Sequence, residues 1–67
     1  MTFEYTITND ASLEISDLNG RLVGTYFLPA YNNVAEVRNE DLKNGIYMYR
    51  VISNGIVIKI DKIIIMQ

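Results

Sequence analysis

Few side chains in this 67-residue sequence could act as nucleophiles. The chain holds no histidine and no cysteine, so serine–histidine and cysteine–histidine arrangements of nucleophile and base cannot be built. Ser12, Ser16 and Ser53 therefore lack a base that could activate them. We expect all three to be hydroxyls of turns and strand surfaces, and we expect the protein not to be an enzyme.

Acidic side chains offer two pairs for acid–base chemistry, Glu40 with Asp41 and Asp10 with Asp17. Neighbouring acids in turns usually face solvent or accept local hydrogen bonds, so neither pair predicts catalysis. Asn39, Glu40 and Asp41 place three oxygen-bearing side chains in a row, but without the spaced acidic pattern of a calcium-binding loop. The sequence predicts no metal site and no cofactor.

Tyrosines and charges bear on the partner that the protein could bind. Five tyrosines could form a stacking platform for sugars or bases. Tyr47 and Tyr49 alternate along one segment, however, a spacing typical of core tyrosines with the hydroxyl at the rim. Six basic and eight acidic residues are interspersed and give a net charge of −2. The basic residues do not form a continuous stripe that could bind phosphates, so we expect no nucleic-acid partner.

Apolar residues recur mainly at every second position, as in half-buried β-strands. The pattern predicts strands over Thr2–Thr8, Ala11–Ser16, Leu22–Leu28, Asn33–Val37, Ile46–Ser53 and Ile56–Met66. Gly24 indicates a bulge or a close backbone approach within its strand. No segment of useful length has a helical period. The sequence therefore predicts an all-β antiparallel sandwich of about six or seven strands.

Two turns punctuate this pattern. Asp17 can accept hydrogen bonds from backbone N–H groups of a type I turn, and Asn19 and Gly20 suit the positions that close a hairpin with a bulge. Arg21 would then face Asp17 across the hairpin mouth. Asn54-Gly55 is the second hairpin signal, because both residues accept positive φ.

The last predicted strand is long and rich in isoleucine. An unbroken alternation would place Ile63 and Ile65 on the face opposite to Ile56, so we expect a bulge or break near Asp61 that returns them to the core. If this strand lies at a sheet edge, its unpaired backbone groups could pair with another chain, and Lys59, Asp61 and Lys62 would keep it soluble. An ordinary final strand and an exposed recognition strand both stay open.

The chain is near the lower size limit for a domain that folds without disulfides or a bound metal. It has no disulfide to add stability. The longest uninterrupted apolar run, Ile63 to Met66, is too short to span a bilayer, and no charged-then-apolar leader opens the sequence. We expect a single domain that is a fragment of a larger secreted protein.

Three motifs in a fixed order resemble a known family. They are Asp17-Leu18-Asn19-Gly20-Arg21-Leu22-Val23, then Leu42 to Val51 with Asn44, Gly45, Tyr47 and Arg50, and finally Lys62-Ile63-Ile64-Ile65 at the end. Together they resemble the C-terminal sorting domain of the type IX secretion system, whose members show a D-x-x-G-R-x-V hairpin, a G-x-Y-x-x-R strand and a basic-then-aliphatic final strand. The match runs from Leu13 to Gln67. The family's opening Asn-Pro segment is absent.

The resemblance implies an Ig-like β-sandwich that acts as a sorting signal, carried by a fused upstream cargo domain. Its implied partners are secretion-machinery proteins of the outer membrane in a Gram-negative bacterium. Cargo would pass through the periplasm and end outside or on the cell surface. Lys59 and Lys62 to Ile65 would form the recognition strand. A sandwich incomplete at its amino-terminal edge would also allow a homodimer through an exposed edge strand.

Two other classes of function stay open at this point. An Ig-like adhesion or carbohydrate-binding module would use Tyr26, Tyr31 and Tyr49 as contacts. A structural spacer domain would need no site at all. An exposed aromatic platform would favour the binding module.

Overall fold

The computed structural model describes residues 2–37 and 42–66. These residues form six strands and no helix: β1 (Thr2–Glu4), β2 (Ala11–Ser16), β3 (Leu22–Leu28), β4 (Val34–Glu36), β5 (Gly45–Ser53) and β6 (Ile56–Ile65). The predicted all-β fold is confirmed.

The strands form two antiparallel sheets. One has four strands in the order β3-β2-β5-β6, and the other pairs β1 with β4. β5 lies between β2 and β6, and among the residues that the structure describes β6 pairs with β5 alone. Within the described residues, β6 is therefore an edge strand.

The core lies between the two sheets. Alternation along β2 buries Ala11, Leu13 and Ile15, and alternation along β5 buries Tyr49 and Val51. We call this side of the four-stranded sheet its inner face and the opposite side its outer face. The two-stranded sheet contributes Phe3, whose ring meets the Tyr49 ring edge-on at 5.1 Å between centroids. The core position that the spacing predicts for Tyr47 and Tyr49 is confirmed, since Tyr49 is buried and Tyr47 packs against the core.

The β2–β3 hairpin contains an irregularity that moves one side chain to the other face. Ile15 pairs with Gly24 but Ser16 pairs with Leu22, so Val23 is an extra residue. Val23 packs against the core, while Thr25 and Phe27 are exposed. A Cβ at Gly24 would lie 3.0 Å from the Tyr26 ring. Of the two alternatives predicted for Gly24, the bulge is present at the neighbouring Val23, whereas the close neighbour of Gly24 is the Tyr26 side chain and not a backbone segment.

The first strand is shorter than predicted, because regular pairing stops after Glu4. The chain still runs beside the segment between β3 and β4, with Tyr5 N donating to Asn33 O at 2.9 Å and Tyr31 N donating to Ile7 O at 3.3 Å. Tyr31 and Asn33 have φ of 62° and 69°, which takes that segment out of the extended conformation. The predicted alternation survives, since Tyr5 and Ile7 pack against the core.

The irregularity in the last strand lies earlier than predicted. Val51 pairs with Lys59 and Ile52 pairs with Val57, so the extra residue is Ile58 and not a residue near Asp61. The consequence is the predicted one: Ile63 packs against the core and Ile65 is fully buried. The bulge restores the inward direction of the final isoleucines.

Candidate recognition strand and its supporting turns

The hairpin turn between β2 and β3 is built around the Asp17 carboxylate. Its Oδ1 accepts hydrogen bonds from the backbone N–H groups of Asn19 and Arg21, both at 2.9 Å. Gly20 N donates to Asp17 O at 3.0 Å, and Gly20 has φ of 86°, a conformation that glycine adopts without steric cost. The predicted turn is present with the predicted donors.

The same contacts act on the ionisation of Asp17. The backbone N–H of Arg21 is the largest cause that lowers the pKa of Asp17 below its ordinary value of 3.8, and the N–H of Asn19 and the charge of Arg21 act in the same direction. Arg21 Nε lies 3.2 Å from Asp17 Oδ2, as predicted for the hairpin mouth. The Arg21 side chain is largely exposed, so this ion pair adds little to stability.

The second motif surrounds the start of β5. Gly45 begins the strand and pairs with Ile65 of β6. The Tyr47 ring packs against the core, and its hydroxyl donates to the carbonyl oxygen of Lys43 at 2.6 Å. Tyr47 therefore ties the segment that enters β5 to the sandwich.

Arg50 lies on the outer face and joins two strands. Its Nε donates to Glu14 Oε1 at 2.7 Å, and the two residues are direct cross-strand partners on β5 and β2. The Arg50 side chain is half exposed. In this position Arg50 supports strand pairing and stays accessible from solvent.

The predicted recognition strand divides into buried and exposed residues. Ile63 and Ile65 face the core, whereas Lys59, Lys62 and Ile64 are exposed. Ile64 is 55% exposed and Ile65 is 0% exposed, although they are neighbours. Only the exposed members could contact a partner without unfolding the strand.

One hydrogen bond reveals how the backbone of β6 points. Lys62 N donates to the carboxylate of the preceding residue, Asp61 Oδ1, at 2.8 Å. This N–H is therefore directed away from β5, and by the alternation of an antiparallel ladder so is the N–H of Ile60. The free edge of β6 thus presents backbone groups, one of which Asp61 occupies.

Pairing register places most of the predicted residues at one end of the four-stranded sheet. Ser16, next to Asp17, pairs with Met48, while Gly45 pairs with Ile65. The Asp17–Arg21 turn, the start of β5 and the end of β6 therefore lie side by side. Lys59 lies apart, opposite Val51 towards the other end.

The inner side of the first half of β6 is poorly covered, a feature that the sequence did not predict. A groove of about 650 Å³ lies between the segment from Phe3 to Ile7 and the side chains of Ile58 and Lys59. Ile56 and Ile58 are 64% and 50% exposed. The two-stranded sheet is narrower than the four-stranded one, which leaves this side open.

Asp10 and Asp17, two of the acidic residues considered for acid–base chemistry, accept hydrogen bonds from backbone N–H groups. Asp10 Oδ1 accepts from Ala30 N at 2.8 Å, and Asp10 and Asp17 lie at opposite ends of β2, so they do not form a pair. The other candidate acids, Glu40 and Asp41, and the run from Asn39 lie outside the described residues. Over residues 2–37 and 42–66 no group of three metal-binding side chains occurs.

Serine and tyrosine candidates also have structural positions. Ser53 was expected at the surface but is buried, and its hydroxyl donates to Asp10 O at 2.9 Å, just before the neighbouring strand β2. Tyr49 is buried in the core, Tyr26 packs against the core, and Tyr31 is 72% exposed. These three tyrosines form no common platform.

In the part of the chain that is described, no helix is long and apolar enough to cross a membrane.

Comparison with known proteins decides the family. The family model described as "Secretion system C-terminal sorting domain" matches residues 1–66. The chain belongs to this family, the C-terminal sorting domains of type IX secretion. No curated protein and no solved structure gave a significant match. The family resemblance expected from the sequence is thereby confirmed.

Proposed function

We propose that this chain is the single, non-enzymatic C-terminal domain of a larger secreted protein and that it directs the fused cargo across the outer membrane. The host would be a Gram-negative bacterium. The cargo would cross the periplasm and then be released or kept at the cell surface. Family membership supports the sorting role. The observation that carries the mechanism is the position of β6 at a free sheet edge with Lys59, Lys62 and Ile64 exposed.

In this proposal β6 is the surface that outer-membrane secretion proteins bind. Its edge offers backbone groups for strand addition, and its outer face offers Ile60 and Ile64 beside Lys62. Gly45 and Tyr47 hold the end of β6 in place from β5, the Asp17–Arg21 turn closes the β2–β3 hairpin at the same end of the sheet, and none of them is itself the contact. Signal recognition would then require a folded domain as well as the exposed residues.

The alternative of a carbohydrate-binding module has no support from an exposed aromatic surface, since Tyr49 is buried. The spacer interpretation has no observation in its favour. The homodimer expected from the sequence stays a prediction, and β6 is the strand that would form it.

A secretion assay tests the sorting role. A fluorescent passenger with an amino-terminal export signal is joined to this chain in a host with a working type IX system. Deleting residues 62–67 would remove buried Ile65 and unfold the domain, so point variants are more informative. Ile64→Ser changes an exposed residue on β6, and Phe27→Ser changes an exposed residue of the same face on β3, the opposite edge.

We expect the original chain and the Phe27→Ser variant to send the passenger outside the cell. We expect the double variant that combines Ile64→Ser with Lys62→Glu to leave the passenger in the periplasm. Circular dichroism of the purified variants checks that all of them fold. Retention of the passenger with the original chain would refute the sorting role. Equal export by all folded variants would refute recognition through β6 but not the sorting role itself.

A further inference from the structure

The free edge of β6 has a charge pattern that suits a second copy of the same strand. We infer that β6 pairs antiparallel with β6 of another copy, with the two-fold axis passing through Ile60. We choose a second copy as the occupant because the charges of β6 are complementary to those of an antiparallel copy of β6. This dimer goes beyond the sorting role and does not depend on it.

The two faces of β6 limit which residues can lie opposite each other in such a dimer. A two-fold axis perpendicular to the sheet reverses strand direction and keeps each face in place, so opposite residues must share a face. Lys59 and Asp61 pair with Val51 and Tyr49 on the inner side, while Ile60 pairs with Arg50 on the outer side. Lys59 of one copy can therefore lie opposite Asp61 of the other copy, because the two positions share a face and are two residues apart in the sequence.

Charge then selects among the registers. An axis through Lys59, Asp61 or Lys62 would place identical charges directly opposite each other, which is unfavourable. An axis through Ile60 places Lys59 opposite Asp61 of the second copy, and Asp61 opposite Lys59 of the second copy. This register forms two ion pairs on the inner side and an isoleucine pair on the outer side, where Ile60 is 64% exposed in the monomer.

The bulge in β6 is compatible with this register. Ile58 is the extra residue beside Lys59, so the ladder between copies resumes with Val57 opposite Lys62 of the second copy. Both of these residues face outward, since they pair with Ile52 and Met48 on the outer face. The faces therefore match on either side of the bulge.

The hydrogen bond within the edge defines what dimer formation must change. Asp61 Oδ1 accepts from Lys62 N in the monomer, and this contact occupies one edge donor. In the dimer Asp61 turns to Lys59 of the second copy, and Lys62 N donates to the neighbouring strand instead. Asp61 thus protects the free edge of a single copy and becomes an interface residue when a second copy arrives.

Single-cysteine crosslinking tests the register, because the chain has no cysteine of its own. The N–H of Ile60 points to the free edge, so the two Ile60 residues would form a hydrogen-bonded pair with Cα atoms about 5.5 Å apart, within disulfide range. Ile60→Cys should therefore form a disulfide dimer under mild oxidation. Ile64→Cys is the matched control on the same strand and face, where the two cysteines would be about 26 Å apart.

Charge reversal tests the pairing independently. Lys59→Asp and Asp61→Lys should each dimerise about tenfold more weakly than the original chain, because each puts like charges opposite each other at two positions. Mixed in equal amounts, the two variants should form a heterodimer, since every opposing pair is then of opposite sign. Analytical ultracentrifugation measures the association, and circular dichroism confirms that both variants fold.

A chain that stays monomeric up to its solubility limit would overturn the inference, as would equal crosslinking of the Ile60→Cys and Ile64→Cys variants. Equal dimerisation of the separate and mixed charge variants would overturn the register. Because the dimer covers the edge proposed for the secretion machinery, the two would compete, a consequence that rests on the proposed function. These measurements use the purified chain without a secretion system, so their outcome is independent of the export assay.

Discussion

Two neighbouring isoleucines near the end of β6 provide a sharp test of the strand's register. Ile65 is fully buried, whereas Ile64 is 55% exposed. Replacing Ile65 by alanine removes buried methyl groups and leaves a cavity, at a cost of about 2–5 kcal/mol in the free energy of unfolding. A domain of this size gains only about 3–5 kcal/mol from its core. The Ile65→Ala variant should therefore be marginally stable or largely unfolded at 25 °C.

Ile64→Ala serves as the matched variant. Ile64 pairs with Ile46 across the β5–β6 ladder on the outer face, and truncating one member of such an exposed cross-strand pair costs about 1 kcal/mol or less. Urea unfolding followed by circular dichroism measures both variants. In thermal unfolding each kcal/mol corresponds to a fall of about 4–8 °C in Tm for a domain of this length.

The order of the two effects is the decisive result. A β-strand that slips by one residue exchanges its faces. If the Ile58 bulge were absent, Ile64 and not Ile65 would face the core. A larger loss for Ile64→Ala than for Ile65→Ala would therefore refute the assigned register, and equal small losses would refute the burial of Ile65.

Three further variants test the turns and the core. Gly24→Ala should change stability by no more than about 1 kcal/mol, since its Cβ would lie 3.0 Å from the outer end of the Tyr26 ring, which can shift by a few tenths of an ångström, and urea unfolding measures the change. The lowered pKa of Asp17 stabilises the fold at pH values above the unfolded pKa of 3.8, and this contribution is lost as the pH falls through the folded pKa. The stability of Asp17→Asn should therefore change less between pH 5 and pH 2 than that of the original chain. Identical pH profiles of stability would contradict the assignment. Tyr47→Phe removes the hydrogen bond to Lys43 O and should cost about 0.5–1.5 kcal/mol, and an unchanged urea midpoint would count against that bond.

The turns were predictable because their chemistry is contained in a few consecutive residues. Asp17 has an oxygen acceptor at the position where a tight turn presents N–H groups, and Gly20 accepts the left-handed conformation that closes it. Asn54 and Gly55 have φ of 54° and 76°, as their sequence predicts for a hairpin. No contact with a distant segment is needed to explain either turn.

Strand boundaries and bulges were less predictable because they depend on the partner strand. β1 ends at Glu4 although its alternation continues to Ile7, since the segment that would pair with it leaves the extended conformation at Tyr31 and Asn33. The bulge of β6 lies at Ile58 because Val51 and Ile52 of β5 set the pairing there. Alternation alone indicated that a bulge was required but not which residue would form it.

The sequence by itself determined the strand period, the two hairpin turns and the motifs that identify the family. These are properties of contiguous residues, set by backbone preferences and by the two-residue repeat of a β-strand. Only the tertiary structure decided that β6 lies at a sheet edge among the described residues, that its bulge falls at Ile58, and that β1 ends at Glu4. Strand order and layer coverage follow from contacts between residues far apart in the chain, so no local pattern contains them.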